Sequence, residues 1–502
     1  MRGLFANKFV LGALVLLALG AQFGLATISH PVVLASGHQT RLLSQAPVTT
    51  AIRGCPSPGS PGGGGVAIIA SPAGTGPTSA GRAVVIRLSA AGSAAAGVPL
   101  ATLTRPGVLT RTAITTATAR SGRVPPGSQT AAGGKVLAGP SRGGVVVQAT
   151  GSMARALAVE QTGSGGLPTA RCDSPGTDFW FVGPGPHSVA SMQLYLMNTD
   201  DQPADAEVDI FTDTGPLLAS TDTGITVPAH GLLVQSLAKL VHGSRVVGLH
   251  VRTSVGRLVA ALRESKSASE PGAWLPASQP PATSLIIPGL PASAGTRELY
   301  VAVPGTDNAQ IRLTAVTAKG SYRPTGGSAI DLPGGSAGTV PLPSLGGVAA
   351  AVKVSSNVPI TAAMLAPGGP PGAPGVFTAA TAPIEQQGVI ADNLSRASYT
   401  GTLVLSAPRG AARVRITEDG AAPRVIAILG KHTTVVRLRK PAGPAGRSPF
   451  AVVITPLAGS GPVYAGRVLS HGGTVESIFP VLSTLTAVPL PPARDSLATV
   501  LP

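Results

Sequence analysis

Val246-Val247-Gly248-Leu249-His250-Val251, a polar turn, then Leu258-Val259-Ala260-Ala261-Leu262: this stretch decides the fold, because the chain carries it four times. The first counterpart is Gly144-Val145-Val146-Val147-Gln148-Ala149 with Arg155-Ala156-Leu157-Ala158-Val159. The next is Val348-Ala349-Ala350-Ala351-Val352-Lys353-Val354 with Ile360-Thr361-Ala362-Ala363-Met364. The last is Phe450-Ala451-Val452-Val453-Ile454 with Val463-Tyr464-Ala465-Gly466-Arg467-Val468. In each, two short apolar runs flank a Ser, Gly, Asn or Pro turn, the pattern of a β-hairpin. Successive copies lie about 100 residues apart, a period that marks a repeated structural unit.

Two further elements keep that period. Phe179-Trp180-Phe181-Val182-Gly183-Pro184-Gly185, Leu299-Tyr300-Val301-Ala302-Val303-Pro304-Gly305 and Leu403-Val404-Leu405-Ser406-Ala407-Pro408 each open a unit. Alternating runs follow, such as Ala309-Gln310-Ile311-Arg312-Leu313-Thr314-Ala315, and alternation with period two places one face inward and one outward. The connector Trp274-Leu275-Pro276 leading to Ser284-Leu285-Ile286-Ile287-Pro288 is echoed by Phe377-Thr378-Ala379 leading to Gly388-Val389-Ile390, and more faintly by Ile478-Phe479-Pro480. The predicted class is all-β. Tandem immunoglobulin-like β-sandwich units, each about 100 residues long, are the first expectation. A closed, propeller-like ring is the alternative, since connectors echoed at both chain ends, at Ile478-Phe479-Pro480 and near Leu43 to Cys55, would complete a circle. The predicted division is an apolar helix over 1–30, a linker over 31–65, β units over 66–165, 166–272, 273–375 and 376–471, and a C-terminal extension over 472–502.

Composition agrees. At 502 residues the chain needs several cores. The 65 glycines and 48 prolines interrupt any long helical pattern, while 43% hydrophobic residues argue for a folded chain. The net charge of +16 comes largely from scattered arginines. A codon bias that raises Arg, Ala, Gly and Pro together accounts for it without an anionic partner. Nucleic-acid binding is disfavoured, because no basic stripe carries interleaved aromatics for base stacking.

Arg2 and Lys8 precede an apolar run from Phe9 to Ile28. Positive charge before an apolar core is an export signature, and about 20 apolar residues suffice to span a bilayer. The expected location is therefore extracytoplasmic and anchored in the cell membrane through this helix; the alternative is secretion after cleavage near Ala26 or Ala35. Cys55 and Cys172, the chain's 2 cysteines, sit in related Pro/Gly contexts, and the expectation is a disulfide between them.

No catalytic, cofactor or metal site is expected. Gly139-Pro140-Ser141-Arg142-Gly143 fits the nucleophile pattern but follows a loop and opens a strand, whereas a true elbow follows a strand and opens a helix. Asp200, Asp201, Asp205, Asp209 and Asp213 form the one acidic cluster; calcium would take such oxygens, yet the spacing suits a solvated turn and strand. Trp180 and Trp274 have sugar-stacking faces, with packing at a unit boundary as the plainer role. His250 is placed on the wet face of its strand.

Cys172-Asp173-Ser174-Pro175-Gly176-Thr177-Asp178-Phe179-Trp180-Phe181-Val182-Gly183, followed by Leu194-Tyr195-Leu196-Met197-Asn198 and later Trp274-Leu275-Pro276, resembles an uncharacterised actinobacterial family, the domain-of-unknown-function family numbered 5719. The resemblance implies an exported or membrane-anchored envelope protein and transfers no functional residues. The expected role is a non-catalytic envelope scaffold or interaction protein, meeting another envelope protein or an acidic glycan. A glycan-binding or glycan-assembly accessory is the second reading, and a hydrolase with a spatially assembled site the third.

Overall fold

The structure, a computed structural model, describes residues 45–56, 65–69, 81–90, 99–103, 144–162, 167–217, 224–237, 240–267, 272–293, 295–326, 330–343, 345–369, 373–394, 398–441 and 450–490. The chain divides into two compact units, residues 1–46 with 489–502, and residues 47–488, and the four repeats lie in the second. The apolar segment 9–28, the Ser121 to Gly134 stretch and the Gly139 to Gly143 pattern lie outside the described residues.

The all-β class holds: among the described residues the regular structure is strand, apart from 3-10 turns at Gly151–Met153 and at Leu237. Four repeats share one strand plan. In the second repeat, Asp178–Pro184, Val246–Val255 and Ala204–Thr212 lie side by side in a front sheet. Gly231–Ser236, Ser191–Met197, Val259–Ser265 and Ala273–Leu275 form the back sheet in that order. In the fourth repeat the front sheet is Gln387–Ile390, Val452–Pro456 and Ala412–Glu418, and the back sheet His432–Arg437, Tyr399–Ala407, Tyr464–His471 and Thr474–Val481. The first repeat sets Thr50–Cys55, Val145–Thr150 and Arg82–Arg87 before Gly65–Ile69, Ala158–Thr162 and Pro168–Arg171.

This plan corrects the hairpin reading. The two apolar runs of the repeated stretch do not pair with each other. Val246–Val255 belongs to the front sheet and Val259–Ser265 to the back, so the turn between them crosses the core. The third repeat makes the crossing without a break: Ala350–Ala366 pairs with Ala282–Leu290 and Ala309–Thr317 through its first half, and with Arg297–Ala302 and Val376–Ala379 through its second. The immunoglobulin plan keeps its first two strands in one sheet, whereas here the first and second strands lie in opposite sheets. Every expected boundary also moves. Pro168–Arg171, Ala273–Leu275, Val376–Ala379 and Thr474–Val481 each pair backward onto the preceding repeat, and Thr50–Cys55, inside the expected linker, is the first strand of the first repeat.

Each repeat closes a core between its own two sheets. Each front sheet then covers the back sheet of the next repeat. Val146 of the first meets Tyr195, Met197, Leu232 and Val259 of the second. The second repeat's core continues into Tyr300, Ala302, Ala337 and Ala363 of the third, and Ile286, Val316 and Ala351 of the third meet Tyr464 of the fourth. The circuit closes where Val389, Ala391, Ala451 and Val453 of the fourth pack on Ala156 and Ala158 of the first. Eight sheets thus stack face to face in a closed circuit. Sheets buried on both faces read as unbroken apolar runs, which is why Val246–Val255 opens with four consecutive buried residues.

Close stacking needs small side chains at the contacts. A Cβ built on Gly248 would stand 2.5 Å from Ala302 Cβ, and one on Gly466 would stand 2.3 Å from Gly289 Cα in the neighbouring repeat. Backbone meets backbone at the second contact, so nothing flexible can yield. Gly466→Ala is expected to cost about 1–3 kcal/mol of stability through overpacking, measured by urea unfolding. Gly305→Ala, where a Cβ meets nothing within 4 Å, is expected to change stability little.

Candidate functional site

The last strand of each back sheet, Pro168–Arg171, Ala273–Leu275, Val376–Ala379 and Thr474–Val481, is its innermost element. Each of these four strands approaches the next to within 8 Å, Cα to Cα, and the last approaches the first. They surround a cavity of about 340 Å³ with residues from all four repeats in its wall. Trp274, Phe377 and Phe479, from three of the strands, line it together with Phe181. Trp274 also packs on Tyr195, ring centroids 5.0 Å apart, and the Arg263 guanidinium lies 5.7 Å from its ring. Trp274 also packs against the cluster in which Leu88 and Val146 of the first repeat meet the second, so it serves both as boundary packing and as cavity wall. Trp180 does not reach the cavity.

The predicted disulfide is present and buried. Cys55, at the end of a front-sheet strand, bonds Cys172, just past the innermost back-sheet strand. It ties the two sheets of the first repeat together beside the cavity, where Gly54 N–H also donates to the Asp173 carbonyl at 2.9 Å. Closing a separation of 117 residues contributes roughly 3–5 kcal/mol in the chain-entropy view. Such a bond suggests an oxidising, extracytoplasmic environment. No helix among the described residues is long and apolar enough to cross a membrane.

The acidic cluster does not converge on a point. Asp200 accepts two hydrogen bonds from Arg257, at 2.7 and 2.9 Å, which holds its carboxyl below the ordinary range. Asp201 meets His230, Asp205 accepts from Thr226, and Asp213 accepts from Ser244. Asp209 takes one nitrogen of His250 at 3.1 Å, while Asp178 takes the other at 2.9 Å. His250 is less wet than its strand suggested, because its ring lies flat on Trp180 at 3.8 Å. Among the described residues no three potential ligands group around a metal position.

The chain belongs to a family of unknown function, DUF5719, whose model matches residues 126–438. No curated protein and no solved structure matches it. The DUF5719 match takes in Cys172, Trp274 and Phe377, but it stops short of Cys55, Arg467 and Phe479. Half of the disulfide and the fourth repeat's share of the cavity thus lie beyond it.

Sequence reasoning missed a buried ion pair at the joint that closes the circuit. Glu160 of the first repeat and Arg467 of the fourth approach to 3.5 Å, both with buried side chains. Glu160 also accepts the Ala391 N–H at 2.8 Å. Arg467 donates to Ser477 Oγ at 3.1 Å and lies 4.3 Å from the Phe479 ring, directly behind the cavity wall. The only signal was a charge set against an apolar run: Glu160 directly after Val159, and Arg467 between Gly466 and Val468. Burial pushes the Glu160 carboxyl up to about 7; Arg467 pulls it down and Asp392 pushes it further up. A carboxyl raised on folding from 4.5 contributes stability below its unfolded pKa and loses it as pH rises through the folded one. Unfolding free energy should therefore carry a component that declines between pH 4.5 and about 7. Urea titrations across that window should show Glu160→Gln with a flatter profile than the parent, and similar stability at the acid end.

Proposed function

We propose that this protein is a non-catalytic scaffold of the cell envelope, held at the outer face of the membrane by its N-terminal apolar segment. The observation that carries the reading is the closed circuit of eight sheets, stapled by one disulfide in its first repeat. A frame closed on itself keeps its loops in fixed relative positions, which serves contact between molecules more than turnover. One charged pair at the cavity wall supports the same reading, since Arg171 is held by Asp173. Export accords with the disulfide and with the positive charge ahead of the apolar run.

A second reading, a glycan-binding accessory, is favoured by the half-buried Trp274 at the cavity wall. Two measurements on the full-length chain separate the possibilities. Protease added outside intact spheroplasts should digest the protein, and alkaline washing should leave it in the membrane pellet. Protection from external protease would overturn the envelope reading. Salt-sensitive retention on purified wall polysaccharide would replace the scaffold with the glycan-binding accessory.

A further inference from the structure

The axial cavity is the strongest unassigned feature of the molecule. Small-molecule pockets run from roughly 300 to 1,000 Å³ and are lined mainly by apolar and aromatic groups with a few placed polar ones. At about 340 Å³ this cavity takes one small moiety or a stretch of chain, and it is too small for a folded partner or several sugar rings. Its described wall combines Trp274, Phe377 and Phe479 with Leu275, Val376 and Ile478.

Charge narrows the ligand further. Two arginines, Arg171 and Arg263, and two carboxylates, Asp173 and Glu476, line the described wall, so their formal charges cancel. The net charge of +16 is not expressed there. An acidic polymer placed in the cavity would bury its charge against a balanced wall, and uncompensated burial of charge is costly. A peptide brings an amide donor and acceptor with every residue, each needing a partner once buried. A hydrocarbon chain brings neither demand and gains from leaving water along its whole length.

We propose that the cavity binds the uncharged apolar chain of an amphiphile, a fatty acyl or alkyl chain, inserted among the four innermost strands. This goes beyond the scaffold reading and stands apart from it: the spheroplast experiment decides location and anchoring, and the one below decides the cavity.

The test uses the purified full-length chain and N-phenylnaphthylamine, an uncharged fluorophore that brightens in apolar surroundings. Hexadecanol and dextran sulfate serve as competitors. Ala261→Trp and Leu482→Trp each place bulk at the wall from a half-buried position, and circular dichroism checks that each variant folds. The expected result is saturable probe binding, displaced by hexadecanol and not by dextran sulfate, and weakened by about tenfold or more in each folded variant. Three results would overturn the proposal: no saturable binding, displacement by dextran sulfate alone, or undiminished binding in a folded variant. Should one variant fail to fold, the other decides.

Discussion

Every sheet in residues 47–488 has to be covered on both faces, and the rest of the structure depends on that constraint. A front sheet that packs on its own back sheet still has an apolar outer face, and the back sheet of the next repeat covers it. Four repeats leave no free end, because the last front sheet, at Val389, Ala391, Ala451 and Val453, covers the first back sheet at Ala156 and Ala158. The requirement explains the small residues at the contacts between repeats, because large side chains would hold neighbouring sheets apart where Gly248 meets Ala302 and Gly289 meets Gly466.

Much of this was legible in the sequence. The hundred-residue period, the strand content and the Cys55–Cys172 bond follow from local patterns and from cysteine count. Strand partnership does not. Two apolar runs around a polar turn look alike whether they pair as a hairpin or cross to opposite sheets, since both arrangements need the same alternation of apolar run and turn. Ala350–Ala366 shows how small the difference is, because one continuous strand serves both sheets. The unit boundaries moved for a related reason. Trp274-Leu275-Pro276 reads forward as a connector beside proline, yet Leu262 and Arg263 pair with it from behind.

The candidate site was less legible because its parts meet only in space. Trp274, Phe377 and Phe479 stand about a hundred residues apart in turn, each within a connector or its echo. Their convergence follows from the closure, which brings the innermost strand of every repeat to one place. Glu160 and Arg467 were likewise visible within or beside quoted apolar runs. A lone charge in such a run gains meaning only when its partner, in a repeat at the other end of the chain, is placed against it.

Closure of the fourth repeat onto the first is therefore the central claim, and Glu160 and Arg467 report on it from opposite sides of the joint. The most direct measurement is a double-mutant cycle of Glu160→Gln and Arg467→Met, read by urea unfolding above pH 7, where Glu160 is largely ionised. A closed circuit predicts a coupling energy of roughly 0.5–3 kcal/mol between the two substitutions. Strict additivity would place the two residues out of contact and contradict the closed circuit.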